Sequence, residues 1–262
     1  MQPLLEISGL SGGYEPVRIF HDVSFVMESG TSIGLFGPNG HGKTTLLKTI
    51  SGLIDPWEGR IVFLGKQLNR PGEYQRRSSS NFNYSVLRRR RMNPQKVARS
   101  GLIQVPQGNL LFPELTIDET LDLAGSVDSG KKSQTRQTRA FVETLFPILA
   151  ERRHQKIKSL SGGERQMVAI GVGLMGQPKL LILDEPTLGL APKVKLHLGQ
   201  AIETIKNFGV PIILVEQDIE LLLNLVDTIY MFDHGGISSP ITRENMPDHQ
   251  DIMNMYFGNV CQ

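Results

Sequence analysis

The stretch "GPNGHGKTT", residues 37–45, decides how the rest of the chain is read. Gly37 to Thr44 fits the pattern G-x-x-x-x-G-K-[ST]. Before it, "TSIGLFG" is an apolar run of strand length. After it, "KTTLLKTISGL" puts Leu46, Leu47 and Ile50 at helical spacing. A strand, a glycine loop and a helix in that order form a cradle for phosphate. Glycines let the backbone wrap closely with its N–H groups turned inward, and the helix adds its positive N-terminal end. The candidate nucleotide-binding segment is therefore Gly37, Pro38, Asn39, Gly40, His41, Gly42, Lys43, Thr44 and Thr45. In it Lys43 reaches the outer phosphates as a point charge, and the Thr44 hydroxyl is placed to ligate Mg²⁺.

A phosphate loop needs a carboxylate to complete the metal site. "LLILDE", residues 180–185, is an apolar strand that ends in Asp184, a candidate for holding Mg²⁺. Glu185 follows it and is the candidate for polarising an attacking water. A second anion-binding device lies in "LSGGERQ", residues 160–166. Ser161 and Glu164 have capping-box spacing, with Gly162 and Gly163 between them. One triphosphate does not need two phosphate-binding helix ends, so the second site is expected to serve another molecule.

Composition sets outer limits. The chain has 262 residues, a net charge of +2, 39% hydrophobic and 21% charged residues, so it can bury a large α/β core. No global charge points to nucleic acid or to an anionic membrane. The sole cysteine, Cys261, excludes an intrachain disulfide and a cysteine metal site. No apolar run approaches the roughly 20 residues of a membrane span, and the N-terminus does not read as a signal peptide.

Residues 4–28 read as two strands around a glycine turn, "LLEISGL" and "VRIFHDVSFVME". "GRIVFLG" and "LIQVP" are further strands, and "NPQKVARSG" is a short helix. Thr116 and Glu119 form a capping box that starts a helix. A longer helix over about 136–153 is expected to bury Phe141, Leu145 and Ile148 on one stripe. From residue 161 helices alternate with apolar strands: "KLLILDE", "PIILVEQ" and "DTIYMFDHG". Strands that are apolar throughout indicate a parallel sheet covered on both faces.

These motifs, in this order, make the chain resemble ATP-binding cassette proteins over nearly its whole length. The resemblance implies an α/β P-loop NTPase fold as a single domain over residues 1–262. It would comprise a parallel-sheet core, an N-terminal antiparallel β subdomain and an α-helical signature subdomain near 108–165. It implies ATP and Mg²⁺ as ligands and ATP hydrolysis driving solute import, with an exporter ATPase or a soluble cassette ATPase outside transport, as in iron–sulfur assembly, as the alternatives. It also implies a head-to-tail dimer in which the Ser161–Glu164 signature of one cassette closes over the phosphate loop of another. Tyr14 is similar to the residue that stacks on adenine, with a plain strand-turn tyrosine as its rival. Gln107 is similar to the glutamine that senses Mg²⁺ and the γ-phosphate; Gln104 is the weaker alternative. "LGLAP", residues 188–192, occupies the D-loop, with Ala191 in place of the usual aspartate. Gln217 stands where most cassettes carry a switch histidine, and is a candidate catalytic residue that cannot become cationic.

"GGY", "EPTLGLAP" and "VEQD" bring the chain nearest to the ATPase subunits of branched-chain amino-acid and urea-type importers. That resemblance implies permease subunits, a second cassette, either identical or different, and an extracytoplasmic solute-binding protein. It implies no nucleic acid, and it sets the chain at the cytoplasmic face of the membrane as a peripheral subunit. The Arg- and Ser-rich stretch 72–91 departs from the pattern. It reads as an insertion, either a solvated flexible loop or a contact for anionic lipid or a partner.

Overall fold

A computed structural model describes residues 2–69, 92–126 and 132–242. The arginine-rich stretch 72–91 and Cys261 lie outside these described residues. Two sheets organise the chain. β1 (Leu5–Tyr14), β2 (Val17–Met27), β4 (Glu58–Phe63) and β5 (Lys66–Gln67) form an antiparallel sheet in the order β2-β1-β4-β5. The other sheet is built on β3 (Ser32–Phe36), β6 (Leu102–Val105), β7 (Leu180–Asp184), β8 (Ile212–Glu216) and β9 (Thr228–Asp233). These run parallel in the order β9-β3-β8-β7-β6. β10 (Gly236–Ile237) and β11 (Ile241–Thr242) add to β9 antiparallel.

Side chains alternate across a strand, so a strand buried on both faces serves two cores. Leu181, Leu183, Ile212 and Leu214 face one core with the helices α3 (Ile117–Gly125), α6 (Gly162–Met175), α7 (Pro192–Asn207) and α8 (Ile219–Leu225). Leu180, Ile182, Ile213 and Val215 face a second core, shared with the antiparallel sheet and with α1 (Lys43–Ile50). Helix α1 is therefore held between the two sheets through Leu46, Leu47 and Ile50, all fully buried. At about 1.5–3 kcal/mol for each such side chain, this packing fixes the helix whose N-terminus carries the phosphate loop.

Two sequence expectations change. The glycines of "SGGY" lie inside β1 and do not turn the chain; the reversal comes at residues 15–16, where Tyr14 pairs with Val17. Gly13 is there because the strands run close together: a Cβ on it would stand 2.2 Å from the carbonyl oxygen of Val17. The helix expected over 136–153 is two: α4 (Lys132–Leu145) and α5 (Pro147–Glu151), after the short α2 (Pro94–Arg99) earlier in the chain. Pro147 has no N–H and forces Phe146 out of helical geometry, to φ −130° and ψ 78°. The fully buried stripe is Val142, Phe146 and Leu149, while Phe141, Leu145 and Ile148 pack only partly buried against it. Arg139 on α4 binds this unit together through Asp118 and Asp122 of α3 and Glu143 of its own helix.

Asp227 ties the parallel sheet together at the other end. Its carboxylate accepts hydrogen bonds from the Ser32 amide at 2.8 Å and hydroxyl at 2.6 Å, and from Lys206 at 3.1 Å. Burial pushes this carboxyl up, but the Ser32 and Lys206 hydrogen bonds hold it below the ordinary aspartate value. Stabilisation is therefore full above the unfolded-state pKa and is lost as pH falls through the lower, folded-state value. Asp227→Asn is expected to cost about 1 kcal/mol at pH 7 in urea denaturation, with the difference shrinking below about pH 4.

Candidate active site

The phosphate loop leaves β3 and enters α1 through Gly42, whose φ of 110° is left-handed. Gly37 lies against β9, where a Cβ would stand 2.1 Å from the carbonyl oxygen of Phe232. A larger residue would lift the loop off the sheet. Lys43 is buried, and its ammonium donates to the loop's own carbonyls, Gly37 at 2.7 Å and Pro38 at 2.8 Å. Burial lowers its pKa, while Glu185 and Asp184 act to raise it.

The tip of β7 supplies those two carboxylates. Asp184 is nearly fully buried; its Oδ1 accepts from the Thr44 hydroxyl at 3.2 Å, and its Oδ2 is buried without a hydrogen-bond partner. Desolvation pushes its pKa up to about 6, with the Thr44 hydrogen bond opposing and the Glu185 charge adding to the rise. A buried orphan carboxylate oxygen beside a threonine hydroxyl is the donor set a hard divalent cation takes, so Thr44 and Asp184 fit Mg²⁺. When bound, the cation supplies positive charge against phosphate oxygens.

Glu185 adopts φ 47°, a left-handed conformation uncommon for glutamate. Its amide donates to Val215 of β8 at 2.9 Å, which holds the bend. The carboxylate is thereby turned toward Lys43, 3.8 Å away, and accepts from the Gln107 amide at 3.0 Å. Gln107 stands just beyond β6. Gln104, within β6, is engaged elsewhere by the Ser51 hydroxyl at 2.6 Å.

Lys43, Thr44, Asp184, Glu185 and Gln107 thus converge from α1, β7 and the segment after β6. The cleft above them, about 360 Å³, is lined by Ile19, Asn39, Gly40, Gly42, Lys43, Thr44, Thr45, Gln107 and Glu185. Ile19, on β2, has no motif to mark it and reaches the cleft only because the two sheets pack together. A roomier, mainly apolar groove between α4 and α7, about 410 Å³, contains none of these residues.

The remaining candidates lie outside the cleft lining. Tyr14 is half exposed at the end of β1, and Gln217 is exposed just past β8. The predicted capping box at α6 is present. The Ser161 amide donates to the Glu164 carboxylate at 2.8 Å, and the Glu164 amide to the Ser161 hydroxyl at 3.3 Å. The first of these contacts, above all, holds the Glu164 pKa below the usual carboxylate range. Ser161 is exposed, Gly162 half-buried and Gly163 buried. None of the four lines the cleft of its own chain. A further carboxylate, Glu216, is buried at the tip of β8 and accepts from the Thr187 amide at 2.9 Å, bracing the loop after Glu185. No motif in the sequence marks that role.

A strand–loop–helix cradle with a buried lysine, beside two carboxylates at the tip of β7, one strand removed from β3 in the sheet, defines a P-loop nucleotide hydrolase of the ATP-binding cassette class. The family model described as ABC transporter matches residues 20–188, and the chain belongs to that family as an ATP-hydrolysing subunit. The chain is 32% identical to the high-affinity branched-chain amino acid transport ATP-binding protein BraG of Pseudomonas aeruginosa, over 97% of this chain and 100% of the relative. It is 27% identical to the probable branched-chain amino acid transport ATP-binding protein LivF of Archaeoglobus fulgidus, over 98% and 100%. The linearmycin resistance ATP-binding protein LnrL of Bacillus subtilis is 30% identical over 93% of this chain and 70% of its own length. A solved ATP-binding subunit of an ABC transporter superposes with a TM-score of 0.75 at 27% identity, covering 97% of this chain and 93% of that one.

The buried Asp184 carboxylate opposes folding while it favours a cation. Asp184→Asn is expected to stabilise the nucleotide-free chain by on the order of 1–2 kcal/mol at pH 7 and to abolish Mg²⁺-dependent turnover. The folded-state pKa is raised, so the gain is full above about pH 6 and fades as pH falls toward 4. Thermal melts from pH 4 to pH 8, paired with ATPase assays, check both signs.

Proposed function

We propose that this chain powers the uptake of a small polar solute, of the branched-chain amino acid or urea type, through a membrane permease. The observation that carries this reading is its correspondence over nearly its full length to branched-chain amino acid transport ATP-binding proteins, at 32% identity for BraG. Among the described residues no helix is long and apolar enough to cross a membrane, so the spanning part belongs to partner subunits. A set of exposed apolar side chains supports a docking face after Gln107: Leu110 at 81%, Phe112 at 63% and Leu123 at 51% exposure. On this reading the chain works at the cytoplasmic face, and a solute-binding protein delivers the cargo on the other side.

ATP is the substrate. Lys43 exchanges its two loop carbonyls for the outer phosphates, and the loop amides surround the rest. Thr44 and Asp184 would hold Mg²⁺, with Gln107 beside it. Glu185 orients and deprotonates the attacking water, and its contact with Gln107 links that step to the docking face. Gln217 orients neighbouring groups by hydrogen bonding and takes no proton. Ser161–Glu164 lie outside their own cleft, and this supports their use across a dimer, closing over the nucleotide of a second cassette. Tyr14 stacks on the adenine.

A second reading, outside amino-acid uptake, rests on the similarity to the linearmycin resistance protein. It is the weaker one, because that relative extends well beyond the match.

Glu185→Gln is expected to keep ATP binding, lower turnover at least about 100-fold, and accumulate an ATP-bound dimer on size-exclusion chromatography. Turnover at the unmodified rate would show that Glu185 is not the water-activating group. Purified from gently solubilised native membranes, the chain should bring permease subunits and a second cassette with it. Recovery from the soluble fraction without membrane partners would overturn the transport reading.

A further inference from the structure

His41, inside the phosphate loop, and the pair Asp233–His234, at the end of β9, lie 193 positions apart in sequence but side by side in the fold. One oxygen of Asp233 faces both rings, at 3.0 Å from His41 Nδ1 and 2.7 Å from His234 Nδ1. The ring nitrogens and the carboxylate oxygen lie within 4.8 Å of one another, and the ring centroids are 5.1 Å apart. The close packing of Gly37 on Phe232 fixes the two segments relative to each other.

We propose that His41, Asp233 and His234 form a binding site for a zinc-class divalent transition-metal ion, joining the phosphate loop to the end of β9. Two imidazoles and one carboxylate are the donor set that zinc and its neighbours accept, whereas Mg²⁺ takes oxygen donors. The site is therefore distinct in chemistry from the Thr44–Asp184 pair. Around a tetrahedral zinc with bonds of about 2.0–2.1 Å, donor atoms stand about 3.3 Å apart. The two Asp233–imidazole separations, 3.0 and 2.7 Å, need to widen by about 0.3 and about 0.6 Å, and the exposed His234 and half-exposed Asp233 side chains have room for this. His41 Nδ1 accepts a long hydrogen bond from the His234 amide at 3.4 Å, so its lone pair lies beside the Asp233 carboxylate oxygen. A cation among the three groups turns that repulsion into attraction. The rest of the coordination shell opens to solvent on the His234 side, which gives the ion a route in.

The test uses the full chain without a histidine tag, titrated with zinc chloride by calorimetry in excess Mg²⁺. One equivalent is expected to bind. His41→Ala, Asp233→Asn and His234→Ala should each weaken binding at least about 10-fold, and His154→Ala should leave it unchanged. Absence of zinc binding to the wild-type chain, or equal binding by the three site variants, overturns the proposal. A measurement on the wild-type chain alone guards against variants that fail to fold. Zinc should protect His41 and His234, but not His154, from modification by diethyl pyrocarbonate, read by peptide mass spectrometry. Equal labelling of all three with and without zinc overturns it as well.

Discussion

The buried ammonium of Lys43 is the group on which the site depends. A lysine out of water needs partners on every hydrogen, and here the loop provides two carbonyls while Glu185 stands 3.8 Å away. These contacts hold the loop in shape before any nucleotide arrives. They are also contacts that phosphate oxygens can replace at little cost, since neutral acceptors are exchanged for charged ones. The loop is thus organised around a cation that its ligand will take over.

Around that cation the fold tolerates local costs. Asp184 buries a carboxylate oxygen with no partner, and Glu185 bends into a left-handed conformation. Both sit at the end of a strand whose other residues are wholly apolar and buried on both faces. The large, regular burial of the parallel sheet offsets these penalties. At the opposite end of the sheet, Asp227 and Ser32 join the starts of β9 and β3 with hydrogen bonds. The capped start of α6 at Ser161–Glu164 is set apart from the phosphate loop. Its capping box is complete, yet it does not enter the cleft of its own chain.

Much of this was legible in the sequence because the signals are local. The loop 37–45, the strand ending in Asp184 and the two capping boxes each need only a few consecutive residues with the right chemistry. Uninterrupted apolar strands between helices announced the parallel sheet for the same reason. The readings that failed were those where a local signal competes with packing. Gly12 and Gly13 look like a turn, but they serve a close approach of two strands. The helix after residue 132 looks continuous until Pro147 breaks it, and the most buried stripe falls one position on from the expected one, at Val142, Phe146 and Leu149.

By itself, then, the sequence determined the fold class, the phosphate loop and the two carboxylates that follow β7, because backbone conformation and charge placement within one motif are short-range matters. Only the tertiary structure decided which distant groups meet. It selected Gln107 rather than Gln104 as the partner of Glu185, brought Ile19 to the cleft, set Glu216 beneath Thr187, and placed His41 against Asp233 and His234. Those pairings depend on how two sheets and a helix pack against one another. No stretch of consecutive residues encodes that packing, which follows from the burial of two cores at once.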